Sequence, residues 1–168
     1  MNALRSGLAL VTLLVLQTTL LADLPLFGVR ADTVLLVAIA AGILHGADRA
    51  AIVGFAVGFG YDLLVSQTPL GLYALTYCLI GYAVGTIQGS VLRSSWWIPI
   101  ATAFGASAAG VMLFAVLGTV LGQEGMMGDR LWRIVLIVAL VNAALIQPAL
   151  RVLRWVLPVE SRAPRLSV

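Results

Sequence analysis

Apolar segments follow one another along this chain with very little between them. Six can be marked, near Leu4 to Leu24, Ala31 to Gly46, Ala50 to Ser66, Leu70 to Leu92, Trp96 to Leu121 and Leu131 to Trp155. A helix that crosses a bilayer needs roughly 20 apolar residues. The connections are each shorter than about a dozen residues, and the polar stretch from Pro158 to Val168 is a short tail, so no space remains for a water-soluble domain. Of 168 residues, 61% are hydrophobic and 10% charged, whereas a soluble fold carries roughly a quarter charged residues to solvate its surface. The expected fold is therefore all-α: a polytopic integral membrane protein with six transmembrane helices in a single domain, residues 1 to 168.

The second and third segments are short for a span. They are expected to be tilted, partly unwound or shielded by neighbours, because irregular backbone facing lipid would leave polar groups unsatisfied. The first segment has the outline of a secretory signal, with Arg5 as its basic end. Cleavage after Ala22 would place Leu20 where a small residue is required, so the segment is read as a retained span.

Orientation follows from the arginines, since basic residues are retained on the cytoplasmic side. With the N-terminus inside, the inner segments hold Arg5, Arg49, Arg93, Arg151, Arg154, Arg162 and Arg165, and the outer ones Arg30, Arg130 and Arg133. This majority favours six spans with both termini in the cytoplasm. The net charge of +3 does not point to nucleic acid, because the basic residues lie at helix ends rather than on one solvated face.

Catalytic and metal-binding sets are missing from the sequence. His45 is the one histidine and Cys78 the one cysteine, so neither a metal site of those residues nor a disulfide can be built. No phosphate-binding loop follows Gly58-Phe59-Gly60. An enzyme, a cofactor and a metal ion are not expected.

Small residues instead recur at four-residue spacing: Gly54 and Gly58; Gly81, Gly85 and Gly89; Ala101, Gly105 and Ala109. That spacing lines one helix face and lets another backbone approach closely. Packing inside the bundle is the expected use, and a homo-oligomer interface the alternative. Gln17, Asn142 and Gln147 can hydrogen-bond across helices, for about 0.6 kcal/mol each on average. Pro148 is expected to kink the sixth helix.

Asp62 is the charge that hydrophobicity does not explain. It lies inside the third segment about one turn from its outer end, where the dipole of its own helix disfavours a negative charge. Arg133 is the mirror case in the first turns of the sixth segment. The expectation is that Asp62 pairs with Arg133, or with Arg30 or Arg130, or else reaches the headgroup region.

The stretch Gly54-Phe55, Gly58, Asp62-Leu63-Leu64, Pro69-Leu70-Gly71-Leu72-Tyr73-Ala74-Leu75 and Gly81-Tyr82, with Gln17-Thr18 and Asp32, resembles the central signature of the rod shape-determining protein MreD family. It departs from that pattern at Ala31, where proline is more usual, and at Gln67-Thr68, where glycine is common. The resemblance is good from about Arg30 to Gly89 and only compositional from Leu92 onward.

The resemblance implies a non-enzymatic scaffold subunit of the bacterial cell-wall elongation machinery. Its partners would be MreC, the RodA glycosyltransferase with its transpeptidase, the MreB cytoskeleton and membrane lipid. The family is also similar in fold to the S components of energy-coupling-factor transporters. That likeness supplies the rival function, a solute-binding membrane subunit of a vitamin transporter, for which Asp62, Gln67, Tyr73 and Tyr77 are the available polar and aromatic groups.

Overall fold

A computed structural model of the chain describes residues 32–65, 68–91, 97–123, 128 and 130–156, and among these all regular structure is helical. Five helices follow one another: α1 Thr33–His45, α2 Ala47–Leu64, α3 Leu72–Val91, α4 Ile98–Val120 and α5 Leu131–Val156. The expected first span, Gln17, Arg30, Gln67 and the tail from Pro158 lie outside the described residues.

Each helix end has a local cause. Asp32 caps α1 by accepting the Leu35 N–H at 3.0 Å. Gly46, at φ 81°, ends α1 and starts α2 at once. α2 consequently begins at Ala47 rather than at the expected Ala50, which places Asp48 in its first turn, where an acid is favoured. Pro99 opens α4, where a missing N–H costs nothing. α5 continues through Pro148 without being divided.

α1 is the core. Val34, Leu35, Leu36, Val37, Ala38, Ile39, Ala40 and Ala41 point in every direction around it, and all are buried. A helix that is apolar all round is stable only when covered all round, and α2, α3, α4 and α5 each pack against it. With 13 residues α1 is about 20 Å long. Of the expectations for the short second segment, shielding by neighbours is the one the packing shows.

α4 and α5 are long and apolar enough to cross a bilayer, yet only 22% of the apolar stretch of α4 and 39% of that of α5 is buried within the fold. The remaining apolar surface needs an apolar solvent. On α5 the division is sharp: Val135, Val138, Ala139, Asn142, Ile146, Leu150 and Leu153 face inward, while Trp132, Leu136 and Leu140 are exposed.

Candidate functional site

Two polar constructions lie inside this apolar bundle, and each joins helices far apart in sequence. The first is built on the antiparallel contact of α2 and α3, the most extensive in the fold. A Cβ added to Gly58 would meet the Tyr73 carbonyl and the Ala74 Cα at 2.7 Å, and one on Gly54 would strike the Tyr77 carbonyl. From the other side, a Cβ on Gly81 would lie 2.8 Å from the Ala50 carbonyl, and one on Gly85 would strike the backbone of Ala47. The two helices thus touch backbone to backbone along nearly their whole length. Gly54, Gly58, Gly81 and Gly85 are all used inside the hairpin, with Ala47 and Ala50 as partners that spacing among glycines alone does not reveal.

Asp62 is the next position on that same face, four residues beyond Gly58 and eight beyond Gly54. It is carried to the first turn of α3, where its carboxylate accepts the N–H of Tyr73 at 3.3 Å and of Ala74 at 3.0 Å. Among the described residues this replaces the expected pairing with Arg133 or Arg130: Asp62 is buried and bonded to backbone, while both arginines are exposed, and Arg30, the third candidate, lies outside the described residues. The first N–H groups of a helix have no partner of their own, and they attract negative charge. The dipole of α2 opposes Asp62, but the N-terminus of α3 outweighs it through two direct hydrogen bonds. The turn that sets this geometry contains Pro69, whose carbonyl accepts the Leu72 N–H, and Gly71 at φ 97°.

Tyr73 stands at the same corner. Its ring lies edge-on to Tyr61 at 4.8 Å and packs against Phe114 of α4 at 4.5 Å and Tyr77 at 5.6 Å. These aromatic contacts tie the α2–α3 hairpin to α4.

The second construction sits where α1 begins. The Tyr77 hydroxyl lies 2.8 Å from each carboxylate oxygen of Asp32. The Asn142 amide nitrogen donates to the Asp32 backbone carbonyl at 3.3 Å and to the Ser107 hydroxyl at 2.9 Å. Residues of α3, α4 and α5 thereby meet at the cap of α1. Asn142 was expected to join helices, and it does. Asp32 stands out in sequence only as part of the family signature, and Ser107 carries no signal there, since a serine inside a helix is ordinary.

The stripe of Ala101, Gly105 and Ala109 is placed differently from the others. All three are exposed, and a Cβ on Gly105 would meet nothing within 4 Å. α4 turns Ala103, Ser107, Gly110, Ala115 and Gly118 toward the other described helices instead, so none of those helices uses this stripe for internal packing. Polar Ser107 lies on the covered face, and covering it satisfies its hydrogen bond.

Residues 4–155 match the family model described as rod shape-determining protein MreD. No curated protein and no solved structure matches the chain.

Proposed function

The chain belongs to the rod shape-determining protein MreD family, membrane proteins with a role in rod shape determination, and from that premise we propose that it is a non-enzymatic scaffold of the cell-wall elongation complex. In this reading it crosses the bacterial inner membrane six times with both ends in the cytoplasm, in a bundle like that of the transporter S components. It binds MreC and, with it, the RodA glycosyltransferase and its transpeptidase.

The observation that carries this reading is how the polar side chains are spent. Asp62, Asp32, Tyr77 and Asn142 bond to one another or to backbone and stiffen the bundle. The exterior offers partner helices apolar and small side chains: Ile52, Phe55, Phe59 and Leu63 along α2, and Ala101, Gly105 and Ala109 along α4. Close approach to such small residues is what drives helix association in lipid.

The test is recovery of bound proteins from membranes in mild detergent. MreC-like and RodA-like proteins are the expected companions. An ATPase pair together with a bound vitamin would replace this reading with the transporter one.

A further inference from the structure

We propose that the apolar segment from Leu4 to Leu24 seats as a further helix in an opening between α2 and α5, where it closes the ring around α1. The opening follows from how the helices are joined. α2 packs on α3, α3 on α4 and α4 on α5, and all four touch α1, yet α5 and α2 make no more than marginal contact with each other. Helices arranged in such a series around a central one leave it open on the side where the series does not close.

That side can be named. A Cβ added to Gly42 would meet the Gly81 carbonyl of α3 at 2.9 Å, and one on Gly110 of α4 would meet the Leu35 side chain at 2.8 Å. Leu35, Ala38 and Gly42 thus face α3 and α4, the middle of the series. Val37, Ala40 and Leu44 stand on the opposite face of α1, toward the opening. Val37 and Ala40 are nevertheless buried, and Leu44 is half-buried against the core. Beside them α2 carries Val53, Ala56 and Gly60 on the face away from the glycines that meet α3, and Val53 packs against the same core. Ala56 and Gly60, small and four residues apart, let a helix approach closely.

The occupant follows from the chain itself. Outside the described residues, Leu4 to Leu24 is the one stretch long and apolar enough to cross a bilayer. α1 also begins inside the bundle rather than at its end: the Asp32 carbonyl meets Asn142, eleven residues and about 16 Å from the start of α5. The chain leading to Asp32 therefore passes through the membrane interior, where backbone against lipid would leave its polar groups unpaired. The opening gives it a protein-lined way. Residues 25–31 reach at most about 25 Å, which holds the segment close to α1, and helices joined so shortly pack as antiparallel neighbours. This inference rests on the six-span reading, under which the segment is a helix, but the two fail separately, since partner recovery tests the scaffold and cross-linking tests the seat.

The test is cross-linking of the full-length chain in its own membranes, with Cys78→Ala removing the natural thiol. Ala40→Cys is combined in turn with a cysteine at each position from Ser6 to Thr12. These are about two helical turns centred on Ala9, which lies as far from Leu4 as Ala40 lies from the end of α1 at His45. A disulfide requires Cα atoms within about 7 Å. After oxidation, the expected result at one or more of these positions is a chain that stays monomeric on a denaturing gel and has lost both free thiols. No such loss is expected when Gly105→Cys on the outer face of α4 replaces Ala40→Cys. The proposal is overturned if Ala40→Cys bridges at none of the positions, if its bridges join two chains, or if Gly105→Cys bridges instead. Should Ala40→Cys not fold, Val37→Cys against the positions from Ala9 to Val15 decides by the same readings.

Discussion

The Asp62 carboxylate accepts the Ala74 N–H at 3.0 Å across the α2–α3 hairpin, so an acid at the end of one helix caps the beginning of the next. The same carboxylate takes the Tyr73 N–H, which makes Asp62 a cap supplied from eleven and twelve residues away rather than from the turn itself. Loss of a side-chain cap costs about 0.5–2 kcal/mol. Asp62→Ala should therefore lower the free energy of unfolding in detergent by that amount. Arg133→Ala should leave it unchanged, and the exchange Asp62→Arg with Arg133→Asp should not rescue the single Asp62 variant. Rescue by that exchange would restore the ion pair the structure replaces.

Gly58 and Gly105 supply a matched comparison. Gly58→Ala forces a Cβ against the Tyr73 carbonyl at 2.7 Å, and overpacking of this kind costs about 1–3 kcal/mol. Gly105→Ala meets open space and should change stability by less than about 0.5 kcal/mol. Thermal unfolding of the two variants side by side checks the assignment of the first stripe to the hairpin and the second to the exterior.

Tyr77→Phe removes the hydroxyl donated to Asp32 and keeps the ring that packs on Tyr73. A buried acceptor deprived of its donor costs about 1–3 kcal/mol. The expected outcome is a destabilised chain whose near-ultraviolet circular dichroism remains native. An unchanged midpoint would show that the hydroxyl contributes nothing at the α1 cap.

Gly105→Leu tests the exterior of α4. Because nothing among the described residues lies within 4 Å of a Cβ at this position, the variant should keep the unfolding midpoint while recovering at most about half as much of any partner that seats a helix on the Ala101, Gly105 and Ala109 face. Quantitative copurification measures it, with Phe55→Ala on α2 as the comparison for the other exposed face.

Gly71 adopts φ 97° in the turn before α3. A side chain there costs about 1–2 kcal/mol of backbone strain. Gly71→Ala should lower stability by that amount even though an added Cβ has no neighbour within 4 Å. Unfolding of the purified variant distinguishes strain from crowding, since Gly58→Ala acts through crowding alone.

The amino-acid sequence by itself determined the helical class, the need for an apolar surrounding and the close approach of two helices. Those properties follow from local composition and from side chains repeating every four residues, which any helix must present on one face. The four-residue register also runs from Gly54 and Gly58 to Asp62, and it is the packing of α2 on α3 that brings the acid into the hairpin contact. Only the tertiary structure decided what that acid meets. Partner choice depends on which helix end lies opposite, and the N-terminus of α3 offered two unpaired N–H groups where the sequence suggested an arginine. In the same way α4 could bury either of two faces, and Ser107 rather than Gly105 went inward because its hydroxyl found Asn142. The meeting of Asp32 with Tyr77 and Asn142, 45 and 110 residues away along the chain, is a product of three-dimensional packing. No spacing rule reaches that far, because hydrogen bonds between helices record the order in which the helices are arranged and not the order in which they are written.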